Sequence, residues 1–122
     1  MNIGVTGKSG EDLVANYLRK NGWSIVKRNY QCRYGEIDII AENEQYIIFV
    51  EVKTRKENSM VSAFEAVDST KQQKIMLTVQ DYMSKVETSL QPRFDVAGVT
   101  VKERKDGSKG YALNYIENAF GG

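Results

Sequence analysis

The stretch that most constrains the fold of this chain runs from residue 35 to residue 53 and reads GEIDIIAENEQYIIFVEVK. Two apolar runs lie on either side of a polar break at residues 42–45, a pattern that predicts a β-hairpin. Both faces of each run are apolar, which is typical of strands buried in the middle of a sheet. We therefore expect a central hairpin within a single domain that spans residues 1–122.

Four charged side chains lie within this apolar hairpin: Glu36, Asp38, Glu51 and Lys53. If the loop has two or four residues and is centred on the middle of the polar break, Asp38 lies opposite Phe49. Glu36 then lies opposite Glu51, at the periphery. Because side chains alternate along a strand, Asp38, Glu51 and Lys53 would point to the same face. A three-residue loop would instead put Asp38 and Glu51 on opposite faces.

The carboxylates of Asp38 and Glu51 need a compensating positive charge. Burying an unpaired carboxylate is costly, and two neighbouring carboxylates repel each other, so the pair requires cationic side chains or a metal ion. We interpret the pair as a metal site. In the alternative interpretation, Lys53 and nearby arginines neutralise both carboxylates at the rim of a sheet.

The composition excludes many kinds of chemistry. A single cysteine, Cys32, and the absence of histidine rule out an internal disulfide, thiolate or imidazole zinc sites, and every histidine-based triad. Any catalysis must use carboxylates, lysine, arginine, tyrosine and hard cations. The sequence has no membrane-spanning run and no signal peptide, so we expect a cytoplasmic protein without a membrane partner. With a net charge of +1, nucleic-acid binding would need a local basic patch.

Apolar periodicity predicts seven elements in the order αβββαββ. After a loose leader at residues 1–8, the first helix has Ser9 as its N-cap and ends at Asn21-Gly22. The sequence then predicts a strand at 23–30, the central hairpin, a mobile loop at 55–66, a helix from 69 to about 87, and strands at 93–101 and 111–116. The apolar stripe of the second helix is a core or dimer surface, which leaves a homodimer open.

Charged residues outside the hairpin have both structural and functional interpretations. Glu11 is expected in the first turn of the first helix, as a surface charge that complements the helix dipole. Arg28 and Tyr30 are expected on one face of the first strand. A local cationic group could contact nucleic-acid phosphates or form a solvated surface, and it consists of Arg28, Arg33, Lys53, Arg55 and Lys56.

The chain resembles the bacterial YraN family over nearly its whole length. The matching blocks occur in the family's order and separation, and they are Gly7-x-x-Gly10-Glu11-x-x-Val14-Ala15-x-x-Leu18, Lys27-Arg28-Asn29-Tyr30, Gly35-Glu36-Ile37-Asp38-Ile39-Ile40-Ala41, Phe49-Val50-Glu51-Val52-Lys53-x-Arg55, Arg93-Phe94-Asp95-Val96 and Glu117-Asn118-Ala119-Phe120. That family resembles the PD-(D/E)xK nuclease superfamily, especially Holliday-junction resolvases and restriction-endonuclease-like proteins.

The resemblance implies a restriction-endonuclease-like α/β fold, in which helices flank a mixed β-sheet. It also implies that Asp38 and the triplet Glu51-Val52-Lys53 form the metal-binding and catalytic core, with Glu11 as a further acidic member.

The same resemblance implies contacts to nucleic acid. Arg28 resembles a basic residue on the strand before the core, and Gln73 or Lys74 would occupy an accessory position on the second helix. Gln31 departs from the arginine usually found after Arg-Asn-Tyr, which weakens the expected phosphate contact there.

These residue types fit the hydrolysis of phosphodiester bonds with Mg²⁺ or Mn²⁺, which bind carboxylates and keep waters and phosphate oxygens as further ligands. Asp38, Glu51 and the carbonyl of Val52 would hold the metal, and Lys53 would orient or deprotonate the attacking water. We therefore predict a metal-dependent nuclease that acts on DNA, including branched or structured DNA. The alternative is a module of the same fold that binds nucleic acid or protein without cutting.

Overall fold

A computed structural model describes residues 7–57 and 69–119 of the 122-residue chain. Its elements, in chain order, are α1 (Gly7–Lys20), β1 (Ser24–Cys32), β2 (Gly35–Glu42), β3 (Tyr46–Lys56), α2 (Ser69–Met83), β4 (Gln91–Glu103) and β5 (Lys109–Ile116). The predicted α/β fold with the order αβββαββ is confirmed. Residues 1–6 of the predicted leader and residues 58–66 of the predicted loop lie outside the described residues.

The five strands form one mixed sheet in the order β1-β2-β3-β4-β5. β1, β2 and β3 are successive antiparallel neighbours, β4 runs parallel to β3, and β5 returns antiparallel to β4. Parallel neighbours need a crossover connection, and α2 lies in the connection between β3 and β4. β3 is therefore the central strand, as its apolar run predicts.

The two helices cover opposite faces of the sheet. Side chains alternate along each strand, so each strand contributes apolar residues to both faces. The apolar cluster on the α1 face contains Val14, Ala15, Leu18, Ile39, Ala41, Ile48, Val50, Ala97 and Val99. The cluster on the α2 face contains Tyr30, Ile37, Ile40, Ile47, Phe49, Ile75, Val79, Tyr82, Phe94 and Val96. Alternate residues of β3 serve the two clusters, which explains why this strand is apolar on both faces.

α1 starts earlier than its sequence predicts. It begins at Gly7, so Ser9 lies inside the helix rather than capping it, and Glu11 lies in the second turn rather than the first. The predicted stop is confirmed, because Gly22 adopts a φ of 90° directly after the helix, a conformation that glycine reaches without strain.

β3 is longer than predicted, and α2 is shorter. β3 continues to Lys56 because Arg55 and Lys56 pair with β4, so both residues belong to a strand and not to the predicted mobile loop. α2 ends at Met83, and the hydroxyl of Ser84 donates to the carbonyl of Asp81 over 2.7 Å. Such a side-chain bond competes with continuation of the helix.

Candidate active site

The turn of the central hairpin determines which side chains meet. The backbone N–H of Asn43 donates to the Tyr46 carbonyl over 3.0 Å. The side-chain oxygen of Asn43 accepts from the amides of Gln45 (2.8 Å) and Tyr46 (2.7 Å). Four residues therefore separate the paired Glu42 and Ile47. The loop length is even, as expected, but its centre lies one residue later than predicted.

The register of β2 and β3 brings Asp38 next to Glu51. Ile39 pairs with Val50, so one further step along both strands sets Asp38 opposite Glu51. The expected pairing of Asp38 with Phe49 is therefore wrong by two residues. A shift by an even number of residues leaves the faces unchanged, which is why the two carboxylates still meet.

β1 and β2 are irregular beside these carboxylates. Arg28 and Ile39 are partners that face α1, whereas Tyr30 and Ile37, two residues away along each strand, face α2. Asn29 lies between Arg28 and Tyr30 and has a φ of 56°, which few non-glycine residues adopt. The expectation that Arg28 and Tyr30 share a face is wrong, because this left-handed residue interrupts the alternation.

Asp38 is a partly buried carboxylate whose surroundings raise its pKa. Its Oδ2 accepts a hydrogen bond from the amide of Val52 over 2.7 Å. Burial first, and then the negative charge of Glu51, raise the pKa of Asp38 from 3.8 to about 7, with smaller contributions from Glu11 and Glu36. The Val52 hydrogen bond acts in the opposite direction. The surroundings of Asp38 therefore disfavour its negative charge.

Glu51 is buried, and its two oxygens have different surroundings. Oε1 lies 3.3 Å from Lys53 Nζ and 3.6 Å from Lys71 Nζ. Oε2 has no hydrogen-bond partner among the described residues, and Glu51 is only 5% exposed. A buried acceptor without a partner costs about 1–3 kcal/mol, and more if it is charged. Oε2 is therefore suited to a further positive ligand.

The expectation that Glu11 is a surface charge is wrong, because Glu11 is buried (8% exposed) between α1 and β1. Glu11 approaches the hairpin from α1 and is held by β1. Its Oε1 accepts from Arg28 Nε (3.1 Å), Arg28 Nη2 (3.0 Å) and Asn29 Nδ2 (3.2 Å). Asp12 binds the same guanidinium, with Oδ1 at 2.7 Å from Nη2. Arg28 therefore fixes the position of Glu11. The contact of Arg28 with phosphate stays a prediction.

Gly10 allows α1 to lie close to β3. A Cβ atom at Gly10 would overlap the side chain of Thr54, so this approach requires a residue without a side chain. The close contact brings the following residue, Glu11, toward the hairpin.

Among the described ion pairs, none joins Arg33, Arg55 or Lys56 to Asp38 or Glu51. Arg33 donates to the hydroxyl of Tyr34 over 2.6 Å and lies 4.8 Å from the centre of its ring. Arg55 donates to the carbonyl of Thr54 over 3.0 Å, and Lys56 is exposed at the end of β3. The described ion pairs of Glu51 are with Lys53 and Lys71.

Lys71, on α2, reaches the site. It lies four residues before the buried Ile75, on the same side of the helix, so it projects toward the sheet and Glu51. Gln73 and Lys74, the predicted accessory residues, are exposed. Lys71 is not among the predicted site residues. In the sequence, the feature that identifies it is its position four residues before Ile75, in phase with the apolar stripe of α2.

Asp38 and Glu51 supply two carboxylates, and the described residues contain no group of three or more His, Cys, Asp or Glu arranged to hold a metal ion. Two carboxylates fit Mg²⁺, which usually keeps several waters and binds through one or two carboxylates plus substrate phosphates.

Within the described ranges, no helix is long and apolar enough to cross a membrane.

Comparison with known proteins finds relatives of almost the whole chain. The model of "Uncharacterised protein family UPF0102" matches residues 10–99. A UPF0102 protein of Clostridium acetobutylicum is 43% identical over 115 residues, which cover 93% of this chain and 92% of the relative. A UPF0102 protein of Caldanaerobacter subterraneus subsp. tengcongensis is 40% identical over 121 residues, which cover 98% of each.

Among solved structures, the chain is similar to Pyrococcus furiosus SfsA in complex with Ca²⁺. The TM-score is 0.38 and the identity 14%, over 91% of this chain and 62% of that chain. This likeness is too distant to bear on function.

Proposed function

The chain belongs to the uncharacterised protein family UPF0102, the YraN family that its motifs resemble, and we propose that it is a nuclease dependent on Mg²⁺ or Mn²⁺. The proposed reaction is hydrolysis of phosphodiester bonds, with DNA as the substrate. The relation to the PD-(D/E)xK superfamily stays a prediction.

One observation carries the proposal: Asp38 and Glu51 are neighbouring carboxylates, and their surroundings disfavour the negative charge of Asp38. Both lysine contacts of Glu51 are to Oε1, and Oε2 has no partner among the described residues. Asp38 has a raised pKa, of about 7. A fully neutralised ion-pair cluster would lower the pKa of Asp38 instead. The geometry therefore favours a metal site over the alternative of a satisfied salt-bridge cluster.

Each residue of such a site would have its own role. Asp38 and Glu51 would hold the ion, and the proposed carbonyl ligand is Val52, whose amide already binds Asp38. A bound Mg²⁺ or Mn²⁺ makes coordinated water more acidic and neutralises charge on the phosphate. Lys53, with a side chain 17% exposed and Nζ 3.3 Å from Glu51, would orient or deprotonate the attacking water.

Glu11 would act beside this pair rather than within it. Arg28 and Asn29 hold its carboxylate, and its charge contributes to the raised pKa of Asp38. Glu11 is therefore close enough to strengthen the negative potential that attracts a cation.

The test is cleavage of linear, flapped, branched and single-stranded DNA, and of RNA, with Mg²⁺, Mn²⁺ or EDTA. We expect wild type to cut only with metal, and Asp38→Asn and Lys53→Ala to lose about 10²-fold or more of the rate. Glu36→Gln is the matched control, because Glu36 is an exposed carboxylate on the same strand that binds Gln31 over 3.1 Å. The control should cut like wild type.

Two outcomes would contradict the proposed function. Wild type that binds nucleic acid but cuts no substrate with either metal would refute the nuclease and support the alternative, a binding module. Equal loss of activity in Glu36→Gln would show that the effect comes from general charge and not from the site.

A further inference from the structure

Two lysine side chains contact the same oxygen of Glu51, and they are held differently. Lys53 lies two residues along the same strand, with Nζ 3.3 Å from Oε1 and a side chain 17% exposed. Lys71 reaches across from α2, with Nζ 3.6 Å from Oε1 and a side chain 41% exposed. Of the two ammonium groups, that of Lys71 lies farther from Oε1, and the side chain of Lys71 is more accessible to solvent.

The packing of α2 explains why Lys71 lies over the site. Ile75, Val79 and Tyr82 bury one side of the helix against the sheet. Lys71 lies one turn before Ile75 on that side, so the docking of the helix directs it toward Glu51.

A divalent cation at Asp38 and Glu51 would change the balance of charge at Oε1. It would compete with both ammonium groups for Glu51 and would repel them, because like charges a few ångströms apart interact strongly in a partly buried site. Lys71 is the one that can move away, because its long side chain is partly in solvent. It would then need another anion close to the metal.

We propose that Lys71 is a phosphate-binding residue of this site. It pairs with Glu51 in the metal-free protein and transfers to a phosphate oxygen of nucleic acid when a divalent cation binds. This inference rests on the cation site of the proposed function, but it does not require that the bound nucleic acid is cut.

The test compares wild type, Lys71→Gln and the matched control Lys20→Gln, which makes the same charge change at an exposed lysine, at the end of α1 away from Glu11. Fluorescence anisotropy measures their affinity for a labelled DNA duplex between about 50 and 200 mM salt, with Ca²⁺ or with EDTA at equal ionic strength. A gel confirms that the duplex remains intact.

With Ca²⁺, Lys71→Gln should have a log–log salt slope about 0.9 less steep than wild type, because one duplex phosphate contact is lost. Over that salt range its affinity should then fall about threefold less than that of wild type. With EDTA the two slopes should agree. Lys20→Gln should match wild type in both conditions. Lys71→Gln should also bind Ca²⁺ more tightly in the absence of DNA, since a competing cation has been removed.

Equal slopes for Lys71→Gln and wild type in Ca²⁺ would overturn the inference, and so would an equal change in Lys20→Gln. Wild type that does not bind the duplex would also overturn it. A slope that depends on Lys71 in a protein that cuts nothing would support this inference and refute the nuclease. Cleavage by wild type with slopes independent of Lys71 would refute this inference alone.

Discussion

Replacing Asp38 with asparagine should stabilise the metal-free protein above neutral pH and change its stability little in acid. Asparagine keeps an oxygen that can accept the hydrogen bond from the amide of Val52, which Asp38 accepts over 2.7 Å. It removes the negative charge that burial and the neighbouring Glu51 disfavour. The change therefore separates the cost of the charge from the value of the hydrogen bond.

The size of the effect follows from the pKa of Asp38, which is about 7 in the folded chain against an ordinary value of 3.8. At about 1.4 kcal/mol per pKa unit, ionised Asp38 would cost the folded state at most about 4 kcal/mol. Solvent screening of this partly buried group reduces the cost, and we expect about 1–3 kcal/mol.

The sign follows from proton binding. Between pH 3.8 and about 7 the folded state keeps a proton on Asp38 that the unfolded state releases. Stability of the wild type from this group is therefore fully present below pH 3.8 and is lost as the pH rises through about 7. Asp38→Asn lacks this loss, so the two free energies of unfolding should diverge as the pH rises.

Urea unfolding at about pH 4.5 and about pH 8 measures the difference, with Glu36→Gln as the control at both values. Adding Mn²⁺ at constant ionic strength should reverse the comparison. A cation that binds only folded wild type adds RT ln(1 + [L]/Kd), about 1.4 kcal/mol at tenfold excess over Kd. In a domain of this size that raises the melting temperature by several degrees, and Asp38→Asn should gain less.

The reasoning fails if Asp38→Asn changes the free energy of unfolding equally at both pH values, because ionisation of Asp38 would then carry no cost. A large loss of stability at about pH 8 would mean that cationic side chains already satisfy Asp38. Equal Mn²⁺ shifts in wild type and variant would show that Asp38 is not a ligand.

Three further substitutions test contacts that position α1 and the strands, and urea unfolding measures the effect of each. Gly10→Ala should cost about 1–3 kcal/mol, because the added Cβ meets Thr54, and wild-type stability would contradict the close approach of α1. Asp95→Asn should cost about 3–5 kcal/mol, because Arg93 donates twice to this fully buried carboxylate. Tyr115→Phe removes one hydroxyl donor to Asp95 and should cost only about 1–2 kcal/mol. A larger loss in Tyr115→Phe than in Asp95→Asn would contradict the ranking.

The architecture could be predicted because each element leaves a local pattern in the sequence. The apolar runs of β2 and β3 predict buried strands, and β3 is indeed hydrogen-bonded on both sides. The alternation of Phe94 and Val96 with Ala97 places these residues in clusters on opposite faces of the sheet. Such patterns report burial, and burial is what packs elements together.

The register could not be predicted because it depends on side-chain hydrogen bonds in the turn. Asn43 accepts from two amides, of Gln45 and Tyr46, and so shifts the centre of the loop by one residue. The left-handed Asn29 changes the face of Arg28 relative to Tyr30 in a similar way. Asparagine adopts such conformations often enough to permit them, but the sequence does not show where it will.

The carboxylates of the site were easier to predict than its cations, and the reason is the length of their side chains. Asp38 and Glu51 are short side chains on neighbouring strands, so strand register alone brings them together. Lys71 comes from a helix that arrives through a crossover, and only its phase with Ile75 indicates its direction. The same difference has a functional consequence. The short carboxylates are fixed by the sheet, whereas the long, partly exposed side chain of Lys71 can exchange one anion for another. The first response of this site to a cation should therefore be movement of Lys71 rather than of the hairpin.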